Sequence, residues 1–145
     1  MRIEGVVDDG TASSPIAHAR CRLEDYADSN ITHGVAIADS NSFYRLDVQT
    51  DIQGVLLCAP PPLPRLSLST FISTVGQAAG HVMADEDVTP ASTIITEIIL
   101  QERPSNPVDL KASLFADLAQ GDSAITVLVE AATRFYKALL DADLD

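Results

Sequence analysis

The residues of this 145-residue chain whose types could do chemistry are three histidines, two cysteines, a few acidic clusters and a row of serines. His18, His33 and His81 stand alone, with no second His or Cys at the spacing that holds a metal ion or builds a catalytic pair, so each reads as an ordinary surface or core histidine. Cys21 and Cys58 have no CxxC or Cys/His zinc spacing and are too few to frame a disulfide scaffold. Each lies in an apolar strand pattern, so both are expected as buried small hydrophobes, with a mutual disulfide as the alternative. Asp8-Asp9, Asp39-Ser40-Asn41 and Asp85-Glu86-Asp87 offer oxygen ligands for calcium. None carries the loop glycine and terminal glutamate of an EF-hand, and turn chemistry accounts for Asx residues at such places. Ser67, Ser69 and Ser73 line a strand pattern without a nucleophile elbow or an SxxK partner and are expected as solvent-facing hydroxyls. The expectation is therefore no catalytic residue, no metal and no cofactor.

The elements that would position these residues change character near Asp85-Glu86-Asp87. Before it, period-two alternation recurs. Ile3, Gly5 and Val7 face opposite Arg2, Glu4 and Val6 in a strand placed near an edge, and Ala17, Ala19, Cys21 and Leu23 face opposite His18, Arg20, Arg22 and Glu24. His33 to Val48 reads as a hairpin across an Asp-Ser-Asn turn, with Val35 and Ile37, then Tyr44, Leu46 and Val48, on one apolar face. Val55 to Cys58 has the length of a strand buried on both sides. The run Ala59-Pro60-Pro61-Pro62-Leu63-Pro64 ends it and reads as an inter-strand loop, since Arg65 follows the last proline too closely for a PxxP ligand. Leu66 to Ser73 is one more strand. After the acidic triplet the period becomes helical. Thr89-Pro90 starts a helix over about 90–102 striped by Ile94, Ile95, Ile98 and Ile99, and Asn106-Pro107 starts a second over about 107–119 striped by Leu110, Leu114 and Leu118. A third, about 123–140, is lined by Ile125, Leu128, Ala132, Phe135 and Leu139 and widened by Val129, Tyr136 and Leu140. Strands first and helices after predict an α+β fold, a β-sandwich of six or seven strands over residues 1–84 and an acidic helical extension over 85–145.

The 46% apolar content and 21% charged residues allow a real core without staples. Net charge is −12, with five arginines against nine acids up to residue 83 and four basic groups against twelve acids beyond it. That balance argues against nucleic-acid and anionic-membrane partners and reads as a solvated acidic face. No apolar run reaches the roughly 18 residues of a membrane span, and Met1 leads straight into strand-like residues instead of a signal segment. A cytosolic chain and a mature or excised piece of an exported protein both remain open.

The first part resembles the carboxypeptidase regulatory-like domain, the transthyretin-like β-sandwich found beside peptidases and in many bacterial surface proteins. The residues carrying the resemblance are Ile3-Glu4-Gly5-Val6-Val7-Asp8, Pro15-Ile16-Ala17-His18-Ala19-Arg20-Cys21-Arg22-Leu23 and Asp39-Ser40-Asn41-Ser42-Phe43-Tyr44-Arg45-Leu46, similar to family patterns of the kind GxVxD, PLAGAxVxL and DANGxFxL. It covers about residues 2–75. Two departures stand out: His18 and Ser42 occupy places where the family has glycine, and Asn41 is expected to take over the positive φ that the turn glycine supplies. The resemblance implies a seven-stranded Ig-like sandwich with Tyr44, Leu46 and Val48 inward and Phe43 outward, and a mostly accessory role. Val88-Thr89-Pro90-Ala91-Ser92-Thr93 is also similar to a helix start that follows such domains in some bacterial exported proteins. The same fold shape includes a ureide-ring hydrolase ending in Tyr-Arg-Gly-Ser, whereas this chain ends Leu140-Asp141-Ala142-Asp143-Leu144-Asp145, so an enzyme is not expected.

The leading expectation is a non-catalytic structural or interaction module whose partners are proteins, another copy of itself among them, through sandwich edge strands and the C-terminal helices. The candidate contact residues are Phe43, Phe71, Tyr26, Ile94, Ile98, Phe135 and Tyr136. The alternative is a carbohydrate- or peptide-binding accessory domain of a larger exported protein, for which the absence of Trp and the scarcity of aromatics make a poor platform.

Overall fold

The computed structural model describes residues 1–10, 16–61, 66–121 and 123–144. Pro15 of the family-like motif and Pro62 to Arg65 of the proline run lie outside the described residues. Seven strands come first: β1 (Arg2–Val6), β2 (Arg20–Asp25), β3 (Thr32–Ile37), β4 (Phe43–Asp47), β5 (Gln53–Ala59), β6 (Leu68–Ser73) and the two-residue β7 (Val82–Met83). Helices α1 (Pro90–Glu102), α2 (Pro107–Gln120) and α3 (Ala124–Leu144) follow. The strands form a three-stranded sheet in the order β4-β1-β7 and a four-stranded sheet in the order β3-β2-β5-β6, antiparallel except for the β1–β7 pair. The fold is the α+β sandwich with helical extension that the periodicity predicts.

Alternation places the core. Ile3 and Val7 from the first sheet and its neighbours Tyr44 and Leu46 meet Leu23, Leu56, Leu68 and Ile72 from the second, all essentially sealed from water. Strand β1 is the middle strand of its sheet and not an edge strand, because residues 82–88 return parallel to it: the Glu86 amide donates to the Glu4 carbonyl at 3.1 Å and the Val88 amide to the Val6 carbonyl at 2.9 Å. Gly5 makes that return possible, since a Cβ there would collide with the backbone of Glu86. The Tyr44 hydroxyl donates to the Glu86 carbonyl from inside the sandwich, and burial, reinforced by the charges of Glu86 and Asp87, pushes its phenol far above the usual range.

Further expectations change. First, β3 and β4 do not pair as a hairpin. They belong to different sheets, and the turn between them carries the chain from one layer of the sandwich to the other. Second, Val35 and Ile37 point outward at 70% and 67% exposure while the small Gly34 and Ala36 take the inner positions, the one-residue flip that a period of two allows. Third, the positive φ at the turn belongs to Ser42 (66°) and not to Asn41, held by Asp39, whose carboxylate accepts the Asn41 amide at 2.8 Å and the Phe43 amide at 3.0 Å. Fourth, Cys21 and Cys58 form a disulfide in place of two free buried thiols, because the β2–β5 register sets them directly opposite, Cα atoms 4.1 Å apart.

The helices pack on β6, which buries more of the strand than alternation alone suggests. Thr89 caps α1 with a reciprocal box, its hydroxyl accepting the Ser92 amide at 3.1 Å while the Ser92 hydroxyl accepts the Thr89 amide at 2.9 Å. Ser92 also donates to the Ser69 carbonyl at 2.6 Å, and the Ser69 amide donates to the Thr93 hydroxyl at 2.9 Å. Ser69 is therefore buried, not solvent-facing. Phe71, Ile95, Ile99 and Ile125 form a second core, joined by Tyr26, Ile94, Ile98, Leu110, Leu114, Leu118 and Val129. Lys111 fastens α2 to the sheet, donating to the Phe71 carbonyl at 2.6 Å and pairing with Glu86 at 3.2 Å.

Candidate functional site

The candidate contact residues separate once they are placed. Phe71 is 1% exposed and stacks edge-on against Tyr26 at 5.3 Å between β6 and the helices, so it is a core residue and not a surface aromatic. Tyr26 is half-buried under the Arg103 guanidinium, 4.6 Å from the ring centroid, and Arg103 donates to the Tyr26 carbonyl at 2.9 Å. Ile94 and Ile98 pack against the second core, and Tyr136 reaches inward to donate to the Ser67 carbonyl at 3.2 Å, burial pushing its phenol up. Phe43 is half-buried with the Arg45 guanidinium 5.1 Å from its ring. Of the seven, only Phe135 is openly exposed, at 58%.

Phe135 marks a feature the linear stripe conceals. Helix α3 turns Ile125, Val129, Tyr136 and Leu140 toward the rest of the fold, and not the line through Leu128 and Phe135. Leu128 and Phe135 face water instead, Leu128 at 51%, flanked by exposed Val127. With the exposed Ala124, Ala131 and Ala138 they fall at spacings of four, three, four and three residues, the seam of a helix that packs lengthwise on another helix. So α3 has two apolar faces, and one of them is used. The helical spacing of these five residues is present in the sequence and was the available signal.

The second exposed apolar surface is the open edge of the four-stranded sheet. On the outer face of β2 and β3, Arg22 stands opposite Val35 and Arg20 opposite Ile37. Together with Leu57 and Ala59 of β5 and the Pro60-Pro61 wall they line a shallow, open depression of about 900 Å³. Arg22 pairs with Glu24 at 2.5 Å, whereas Arg20 has no ion-pair partner among the described residues. Nothing in the local sequence signals this surface, because alternating Val and Ile in a strand ordinarily read as an inward face.

Titratable groups elsewhere serve the fold. His33 and Asp25 pair at 2.8 Å beside the β2–β3 bend, and that hydrogen bond, with the Ala27 and Asp28 amides, holds the Asp25 carboxyl below its usual range. Burial pushes the Asp8 carboxyl up, with the charges of Asp87 and Asp9 adding to the effect, against the lowering hydrogen bond from the Gly10 amide. The Asp87 carboxylate accepts the Val6 amide at 3.0 Å. Among the described residues no group of three or more His, Cys, Asp or Glu side chains is placed to hold a metal ion. No described helix is long and apolar enough to cross a membrane. The sequence matches no protein-family model and no curated protein with which it was compared.

Proposed function

We propose that this chain is a non-catalytic interaction module that works by self-assembly, with the outer face of α3 as its contact. The observation that carries this reading is the second apolar face of α3, where Leu128 and Phe135 stand in water at lengthwise-packing spacing on a helix whose opposite face is already used. A side-by-side α3–α3 contact removes these residues from water, a gain of about 25 cal/mol for each Å² of apolar surface. The module is further read as a carboxypeptidase regulatory-like sandwich. Support comes from the two residues standing where that family has glycine: both adopt the left-handed conformation, His18 at φ 59° and Ser42 at φ 66°. The disulfide between Cys21 and Cys58 supports a place of work in an oxidising compartment, as for a part of an exported protein.

Sedimentation velocity over a wide concentration range tests the assembly. The expected result is concentration-dependent association that Leu128→Glu and Phe135→Glu each abolish while circular dichroism stays unchanged. A native chain that remains strictly monomeric at every concentration removes self-assembly from the reading.

A further inference from the structure

A separate surface, the open edge of β3, has the features of a docking site for an extended strand. In the β2–β3 ladder the Ala38 amide donates to the Ala19 carbonyl at 2.9 Å. Antiparallel ladders alternate, so Ala36 and Gly34 also spend their backbone groups on β2, and those of Val35 and Ile37 point to the side on which no strand pairs among the described residues. A row of free donors and acceptors on an edge strand templates another strand. Edge strands of stable folds are usually blunted by charge or proline; β3 presents Val35 and Ile37 there, two of its most exposed apolar residues.

The chemistry beside that edge selects the occupant. We infer that the β3 edge binds an extended acidic segment of another polypeptide, one whose carboxylates alternate with apolar side chains, adding it as a fifth strand to the β3-β2-β5-β6 sheet. A strand paired to β3 lies about two strand spacings, roughly 10 Å, from β2, within the combined reach of a glutamate on the new strand and an arginine on β2. Arg20, opposite Ile37 and free of an ion-pair partner among the described residues, takes one carboxylate, and the exposed Arg22, paired with the half-buried Glu24, offers a second contact. The described charges of this face, Arg20, Arg22 and Glu24, sum to a positive value on a chain of net charge −12. This makes the face electrostatically distinct from the rest of the molecule, favouring an anionic strand and disfavouring a cationic one. Main-chain pairing supplies affinity and the alternate side chains supply the preference.

The test uses fluorescein-labelled peptides of alternating Glu and Val, matched peptides of alternating Lys and Val, and a Glu/Val peptide N-methylated at every residue so that neither edge can donate, read by fluorescence anisotropy with the whole chain. The Glu/Val peptide binds with an affinity that falls as salt rises, and the Lys/Val and N-methylated peptides do not bind. Arg20→Glu weakens binding about tenfold or more. Val35→Pro, which removes a donor that points away from the sheet's own ladder, abolishes binding, with folding checked by circular dichroism. Absence of Glu/Val binding up to millimolar peptide, or binding indifferent to N-methylation or to Arg20→Glu, overturns the inference. A dimer present without peptide that is insensitive to Phe135→Glu and lost on Val35→Pro assigns the edge to a second copy and overturns it too. Loss of association through α3 leaves these readouts untouched.

Discussion

Replacing Cys21 and Cys58 together by alanine removes a tie whose value follows from the length of chain that it closes. The two cysteines are 37 residues apart in sequence. A closed loop of that length lowers the entropy of the unfolded chain by an amount equivalent to about 4 kcal/mol at room temperature. Residual structure in the unfolded state trims this figure, because Arg20 to Asp25 and Gly54 to Ala59 are direct strand neighbours whose apolar residues attract each other without the bond. A net loss of about 2–4 kcal/mol is expected, which moves the urea midpoint by roughly 1–2 M for a chain of this size. The thermal midpoint falls by roughly 10 °C. Urea unfolding followed by far-ultraviolet circular dichroism and tyrosine fluorescence suits a chain without tryptophan, with and without a phosphine reductant. Alkylation and intact mass of the native protein count its thiols in parallel. Two alkylated cysteines in protein kept under oxidising conditions, or equal midpoints for the oxidised chain and the double alanine variant, refute the reasoning.

Three further outcomes are expected. Gly5→Ala places a Cβ against the Glu86 backbone and forces the returning segment away from β1, costing about 1–3 kcal/mol in a urea titration, while Gly80→Ala, with open space around it, changes little. Ser92→Ala removes half of the α1 capping box and the bond to the Ser69 carbonyl, costing about 1–2 kcal/mol by the same measurement and shifting amide exchange in β6 before β2. Asp8→Asn stabilises the chain at neutral pH, because the raised folded-state pKa of Asp8 means that ionisation opposes folding. That penalty is present above the folded pKa and is relieved as the pH falls through it, so the advantage of the variant shrinks toward acid pH; thermal melts at pH 7 and pH 4 that show an equal difference contradict the assignment.

The legible parts of the fold were those governed by local chemistry. Alternation located the strands and put Leu23, Tyr44 and Leu46 inward, and Thr89-Pro90, Asn106-Pro107 and Gly121 marked helix ends where the caps form. Three readings on the face of an element went wrong for the same reason: a periodicity names two candidate faces and the packing partner chooses between them. Val35 and Ile37 lost the interior to Gly34 and Ala36, Leu128 and Phe135 lost it to Val129 and Tyr136, and Ser69 and Phe71 were covered by a helix more than fifteen residues downstream.

By itself, then, the sequence indicated six or seven strands followed by three helices, the helix starts and the strength of the apolar stripes, all of which depend on residues within a few positions of one another. Only the tertiary structure decided that β3 and β4 sit in opposite sheets, that Cys21 meets Cys58, that Leu128 and Phe135 of α3 are left in water, and that one edge of β3 pairs with no strand among the described residues. Those outcomes depend on which distant segment arrives alongside, and register across a sheet is a property of two strands together. The surfaces from which the function is argued belong to this second class.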